Sequence, residues 1–365
     1  MKIVITTDSF KASLPAIEVG KSIAKGLRST YAKAGIDLLP MADGGEGSAE
    51  IIAAHLGADK INCQALDPLG KVIDAHWYWF EESNMAILDM ASASGYSLVD
   101  IRESSILERN TYGTGQLISF ALAKGARQII LGMGGSATCD GGLGMAAALG
   151  YQFIDAQNGA LNPVPANFSL VNGIQNALPP PDCKIVALYD VGIHLLGESG
   201  TARRYAAQKG ASDNEIFQLE EGLQHLTSLD PNPTSAPGDG AAGGLGYGAR
   251  TFLNAELKSG FDYIAQITGL EYHIETADLV ITGEGKIDSQ TLDGKVVSGI
   301  LQLCKKHKKP LIAVCGQAQS PQIGDTLGFQ AIYEIIEMAK NERDAMENAS
   351  EYLEAIGHTI GNSLK

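Results

Sequence analysis

Gly132-Met133-Gly134-Gly135-Ser136-Ala137-Thr138-Cys139-Asp140-Gly141-Gly142-Leu143-Gly144-Met145-Ala146-Ala147-Ala148-Leu149-Gly150 is the stretch from which the fold is read. A strand-like run, Arg127 to Leu131, enters it, and a helix-like run, Gly144 to Leu149, leaves it. Strand, glycine turn and helix in succession form the repeating unit of α/β proteins. Glycines carry no Cβ, so backbone N–H groups close on an anion, and a helix start adds partial positive charge. The turn is therefore expected to hold phosphate or carboxylate oxygens, with the acid Asp140 beside them.

Working outward, further strand-like runs recur at Lys2–Thr7, Ile36–Met41, Met85–Met90, Lys184–Leu188, Asp278–Thr282 and Pro310–Val314. Helix-like runs such as Ala16–Ser29, Gly115–Lys124 and Leu292–Lys306 lie between many of them. This alternation predicts an α/β architecture with largely parallel strands, whose ligands sit beyond the carboxyl ends of the strands. Those ends carry Asp8-Ser9, Asp43-Gly44-Gly45, Gly134-Gly135, Asp190 and Gly283-Glu284, which points to one shared cleft. Ala75–Phe80 and Met85–Met90, separated by Glu81-Glu82-Ser83-Asn84, read as a hairpin that starts an inserted domain. Asp230–Asp239, rich in proline, reads as a surface loop. Runs 278–282 and 310–314 resume simple alternation and are expected to complete the sheet begun by residues 2–7. The expected organisation is a Rossmann-like three-layer domain of residues 1–66 and 272–365, with a second α/β domain, 67–271, inserted in it.

The bulk numbers agree. A length of 365 residues suggests about two domains, at roughly 150 residues each. The 43 glycines show no Gly-X-Y period, so the excess belongs to loops. A net charge of −15 argues against nucleic acid and anionic membranes, which need a basic face, but leaves room for a nucleotide held by local cations. Five scattered cysteines with no CxxC pair suggest neither a zinc site nor a disulfide framework. The N-terminus reads as a first strand without the apolar core of a signal peptide, and no apolar run approaches the ~18 residues of a bilayer span. The expectation is a cytoplasmic protein, monomer or homodimer, acting on a small molecule.

Several turns could carry chemistry. Lys11, in Asp8-Ser9-Phe10-Lys11, stands at a strand-to-helix turn where a point charge meets an anion and offsets charge developing during transfer. Ser9 or Ser13 could equally cap the next helix. Asp43 and Glu46, set in glycine at Asp43-Gly44-Gly45-Glu46-Gly47, suit Mg²⁺ or substrate hydroxyls, or a solvated turn. Asp190, after a buried strand, can act as general base for an alcohol, with Lys209-Gly210 downstream. Gly238–Gly246 is a second glycine loop running into a helix, serving either a ligand or tight packing. Glu284 and Asp288 follow another buried strand as candidates for metal or nucleotide contacts, with Lys295 for phosphate.

Most named motifs are absent. Gly294-Lys295 is followed by Val296 and lacks the upstream glycine of a Walker A loop. Protein-kinase, nucleophile-elbow and HExxH patterns are missing. Gly132, Gly134 and Ala137 match G-x-G-x-x-A, with Asp155 about twenty residues on, so a nicotinamide-dependent oxidoreductase is a second reading.

In order along the chain, Asp8-Ser-Phe-Lys11, Ala42-Asp-Gly-Gly-Glu-Gly47, Asp67-Pro-Leu-Gly70, Tyr112-Gly-Thr-Gly115, Gly134-Gly-Ser-Ala-Thr138, Asp140-Gly-Gly142, Asp190-Val191, Gln208-Lys-Gly-Ala211, Gly240–Gly246 and Ile281-Thr-Gly-Glu-Gly285 with Asp288, Gln290 and Thr291 resemble the bacterial glycerate kinase family. The resemblance implies two α/β domains with the active site between them, and ATP-dependent phosphorylation of D-glycerate with Mg²⁺, to 2-phospho-D-glycerate rather than the 3-phospho isomer. Phosphoryl transfer asks for positioning, charge neutralisation and an oriented hydroxyl. The implied catalytic residues are Asp190 and Lys11. Asp8, Ser9, Asp43, Gly44, Gly45 and Glu46 would bind substrate. Gly134, Gly135, Ser136, Thr138, Lys209, Gly243, Gly244 and Lys295 would bind nucleotide or phosphate, and Glu284 and Asp288 the metal. Ile193-His194-Leu195 replaces the family's usual Asn-Pro-Leu, and Tyr205-Ala206-Ala207 its Phe-Gly-Pro. These departures raise a third reading, a kinase relative that senses a small hydroxy acid.

Overall fold

The computed structural model describes residues 1–176, 182–230, 233–288, 291, 295–319 and 327–365, without the side chains of Asn176 and Lys295. Gln290 of the motif set, the start of the expected helix at 292–294, and 231–232 of the proline-rich loop lie outside the described residues. In chain order the strands are β1 (Lys2–Ile5), β2 (Gly35–Leu38), β3 (Asp59–Leu66), β4 (Val72–Phe80), β5 (Met85–Asp89), β6 (Gln128–Met133), β7 (Tyr151–Ile154), β8 (Gly173–Asn176), β9 (Lys184–Tyr189), β10 (Glu256–Ser259), β11 (Leu279–Ile287), β12 (Leu311–Ala318) and β13 (Ala331–Glu334). They fall into two compact units, Met1–Asp43 with Phe261–Lys365, and Gly44–Gly260.

The first unit carries a five-stranded sheet of order β13-β12-β11-β1-β2, parallel throughout. Its strands read as short aliphatic runs because both faces are covered. Ile3, Ile5, Leu279, Ile281, Ile312 and Val314 point to one face. There they join Val19, Ile23 and Leu27 of the helix Ala16–Thr30 and Leu353, Ile356 and Ile360 of the helix Ala349–Ser363. The alternate residues Val4, Val280 and Ala313 are buried on the other face, where the helices Leu270–Thr276 and Lys295–His307 pack. This is a three-layer sandwich. Numbered within the unit, its strand order is 2-1-3-4-5, with the topological switch point between β1 and β11.

The second unit holds a six-stranded sheet, β10-β9-β6-β5-β4-β3. Strands β5, β6, β9 and β10 are parallel, whereas β3, β4 and β5 form an antiparallel meander. The expectation of largely parallel strands therefore holds for the first sheet, and the second is mixed. The reason is the hairpin at Glu81–Asn84, too short for a parallel crossover. Trp77, Trp79, Leu88, Ile129, Leu131 and Phe153 anchor the second core.

The unit boundaries, 43/44 and 260/261, differ from the 66/67 and 271/272 read from sequence. Strand β3 pairs with β4 along all eight of its residues, and the helix Ser48–Leu56 packs on β4 and β5, so residues 44–66 belong to the second core. At the other end Phe261 packs its ring against Gly299, within the first unit.

Candidate active site

In the second unit, β6 runs apolar and buried to Met133 and then breaks into Gly134-Gly135-Ser136. Gly134 is dictated by close approach: a Cβ there would lie 2.3 Å from Gly45 Cα. The Met133 N–H donates to the Gly44 carbonyl (3.0 Å), so Gly44 and Gly45 back this turn. Glu46 reaches its outer side, since a Cβ on Gly135 would be 3.1 Å from Glu46 Oε2. A cavity of 390 Å³ opens here, and Gly134, Gly135, Ser136, Asp190, Lys209 and Gly243 line it together. Tyr205 and Gln208 also line it, so one of the departures from the family pattern faces this cavity. His194, by contrast, is tied to Ser235 Oγ by its Nδ1 (2.8 Å).

Lys209 is only 5% exposed, although lysine is seldom buried unless partnered. Its Nζ donates to Ser136 Oγ (2.5 Å) and to the Thr138 carbonyl (2.7 Å). Burial lowers its pKa, while Cys139, Asp140 and Asp190 pull the other way. The carbonyl of Lys209 accepts from Arg109 Nη1 (2.8 Å), and Arg109, fully buried, also binds the carbonyls of Ala137, Ile101 and Ser104. Thr138 and Gly244 stand behind the wall. Gly243 has φ +72°, and a Cβ on it would sit 2.0 Å from the Thr138 carbonyl oxygen. The 242–244 bend is therefore packed against the 138–141 bend.

One sequence expectation is corrected. The helix start after the turn does not offer its N–H groups to an anion. Asp140, fully buried, takes them, accepting from Gly144 N (2.9 Å), Gly142 N (3.3 Å), and Thr111 N and Oγ1 (2.8 Å each). A buried carboxylate needs several donors, and the helix N-terminus is the local supply. The dinucleotide fingerprint fails as well. Strand β7 pairs antiparallel with β8, away from β6, and Asp155 is engaged in a turn, accepting from Gln157 N (2.8 Å) and Gly159 N (2.7 Å).

In the first unit, the ends of β1, β11 and β12 border a cavity of 460 Å³. Asp8, Ser9, Lys11, Asp43, Glu284 and Lys286 line its polar part. Burial and then the nearby Asp43 raise Asp8 to about 6, against the hydrogen bond from Ser9 N (2.6 Å). Burial likewise raises Glu284 to about 7, with Thr291 bonding it and Asp8 and Asp288 repelling it. Glu284 Oε1 is buried with no hydrogen-bond partner among the described residues. Asp288 lies off the cavity wall, 3.5 Å from Lys286 Nζ. Lys295 opens the helix Lys295–His307, and its side chain is outside the described residues.

Sequence reasoning missed Asp89 and Arg109. Asp89 ends β5 and holds the 44–49 segment, accepting from Gly47 N (2.9 Å) and Ala49 N (3.0 Å); full burial raises it to about 7. Its only signal was one acid closing an otherwise apolar strand.

A buried lysine under a glycine turn in one unit, and an acid–lysine cavity at a switch point in the other, are the candidate sites of this α/β fold. The model of the Glycerate kinase family matches residues 3–365. The glycerate 2-kinase of Escherichia coli (strain K12) is 42% identical over 325 residues, covering 87% of this chain and 85% of that protein. The glycerate kinase of Bacillus subtilis (strain 168) is 35% identical over 100% of this chain and 98% of its own. The crystal structure of "putative glycerate kinase 2" from Salmonella typhimurium LT2 superposes with a TM-score of 0.85 at 34% identity, covering 100% and 98% of the two chains. The chain belongs to the glycerate kinase family.

Proposed function

We propose that this enzyme transfers the terminal phosphoryl group of ATP, bound with Mg²⁺, to D-glycerate, giving 2-phospho-D-glycerate. The observation that carries the reading is that Asp190, Lys209 and the Gly134–Ser136 turn line one cavity in a chain of this family. Asp190 is the group to orient the acceptor hydroxyl and take its proton. Lys209, with the backbone of the turn, holds anionic oxygens, of the acid's carboxylate or of the phosphoryl group. Lys11 neutralises charge on the phosphoryl group in flight. Glu46, beside Gly135, serves the substrate's hydroxyls.

The first-unit cavity fits a divalent cation. Asp8, Asp43 and Glu284 crowd it, and an orphaned carboxylate oxygen stands among them. Among the described residues no three His, Cys, Asp or Glu side chains form a metal site of their own. Mg²⁺ asks for less than such a cluster, since it takes one or two carboxylates and keeps phosphate oxygens and waters for the rest. Glu284 would hold it, with Asp288 once released from Lys286; bound there, Mg²⁺ would neutralise phosphate charge. The 2-phospho assignment follows the name of the Escherichia coli relative. Among the described residues no helix is long and apolar enough to cross a membrane, and all five cysteines are free, which supports a cytoplasmic setting.

The test is ADP release on mixing the protein with Mg-ATP and D-glycerate, with the product's phosphorylated position read by phosphorus NMR. A 3-phospho product removes the finer assignment. No turnover with any short hydroxy acid removes the kinase reading and leaves the sensor.

A further inference from the structure

The polar end of the first-unit cavity accounts for only part of its 460 Å³. The rest is walled by Phe10, Val296, Ile335, Ile336, Ala345 and Met346. These side chains come from the turn after β1, the start of the helix Lys295–His307, the turn after β13, and the helix Glu342–Glu347. Gln317, at the end of β12, adds an amide with both a donor and an acceptor. The cavity is thus a largely apolar slot that carries this amide, with Ser13 and Glu342 also on its wall, and it is continuous with the end lined by Lys11, Lys286, Asp8, Asp43 and Glu284.

We infer that this slot binds the nucleobase of the nucleoside triphosphate, with the acid–lysine end taking its phosphates together with their divalent cation. The inference rests on the kinase reading and adds to it which unit holds the base. Three observations carry it. The slot opens at the β1/β11 switch point, where parallel sheets of this strand order place a ligand outside their carboxyl ends. Its size suits a drug-sized molecule, and a three-carbon acid would leave most of the apolar wall unused. Its charge selects the occupant. A fatty acid would bring a carboxylate against Asp8 and Glu284, whereas a magnesium nucleotide brings a cation to these two carboxylates and phosphates for Lys11.

The experiment measures dissociation constants of Mg-ADP and of Mg-pyrophosphate by calorimetry, without turnover. Wild-type protein is expected to prefer ADP by about tenfold or more, the usual return on burying one flat apolar ring. Ala345→Phe fills the slot and should weaken ADP to the level of pyrophosphate, leaving pyrophosphate unchanged. Met346→Ala changes an exposed wall residue, is safe for folding, and should weaken ADP severalfold with pyrophosphate again unmoved. Unchanged ADP affinity in both variants overturns the inference, because the base then lies elsewhere. Equal loss of ADP and pyrophosphate in both overturns it too, since the residues then serve the fold. ADP binding weakened as expected, in a protein that fails to phosphorylate glycerate, upholds the base site while removing the acceptor proposed above.

Discussion

Asp190 and Glu284 carry opposite burdens, and each makes a distinct prediction. Asp190 lines the cavity of Lys209 and is assigned the acceptor proton. Asp190→Asn keeps the shape and removes the base, so kcat should fall at least ~100-fold with little change in the glycerate KM. Near-normal turnover in a coupled ADP assay would take Asp190 out of that role. Glu284 is held at about 7, well above its ordinary 4.5, by burial and by acidic neighbours. The native state then binds this proton more tightly than the unfolded chain. Its contribution to stability is full below pH 4.5 and is lost as pH rises through 7. In metal-free buffer Glu284→Gln should therefore raise Tm relative to wild type at pH 8 and change it little at pH 4. Scanning fluorimetry checks this, and an equal effect at both pH values refutes it. Asp140 and Asp190 show how far single residues were readable. Both are acids in the segments that follow buried parallel strands. Only the fold reveals that the first is consumed by four donors from its own surroundings while the second faces a cavity.

The turns that end strands form the next level. All seven strand-like runs contain strands, six of them because apolar runs in a sheet interior have few alternatives, while the edge strand β2 is only partly buried. The turn at 134–136 depends on backbone contact that tolerates no side chain. Gly134→Ala should cost about 1–3 kcal/mol by overpacking against Gly45. Gly57→Ala, at φ +73° with open space around it, should cost about 1–2 kcal/mol, from backbone strain alone. Urea unfolding compares the two, and an equal cost would mean that the 44–45 segment gives way freely. That contact could not be seen in sequence, where Gly134 and Gly57 look alike. The glycine turn was read as a place for anions, but the donor its pattern suggested, the helix start, is taken by Asp140. The cation is Lys209, placed by Arg109 and by the Ser136 hydroxyl.

Each of the two units has its own main sheet, its own core and one of the two cavities described above. The first is discontinuous: its strands β1 and β11 are neighbours although more than 270 residues apart. Hydrogen exchange should report the division of labour. Mg-ADP is expected to slow exchange at 284–288 and 316–318, and D-glycerate at 134–138 and 190–191. ADP protection confined to 134–138 would contradict the assignment of the base. The return of the chain to its first sheet was legible, since strand–helix alternation resumes after residue 278. The boundaries were not, since β3 is too polar to announce which core it joins and is placed by its pairing with β4.

Local chemistry accounts for what could be known from the chain alone. Apolar period, glycine turns and acids at strand ends are short-range signals, so they give the α/β class, the family motifs and most of the candidate residues. Packing decided the remainder. Phe10, Val296, Ile335 and Met346 look like ordinary core residues in a linear text, and so does a lysine between glutamine and glycine. Whether an apolar group fills a core or lines a slot, and whether a charge meets water or a buried hydroxyl, depends on neighbours hundreds of residues away. Only the folded arrangement brings those neighbours within van der Waals and hydrogen-bond range.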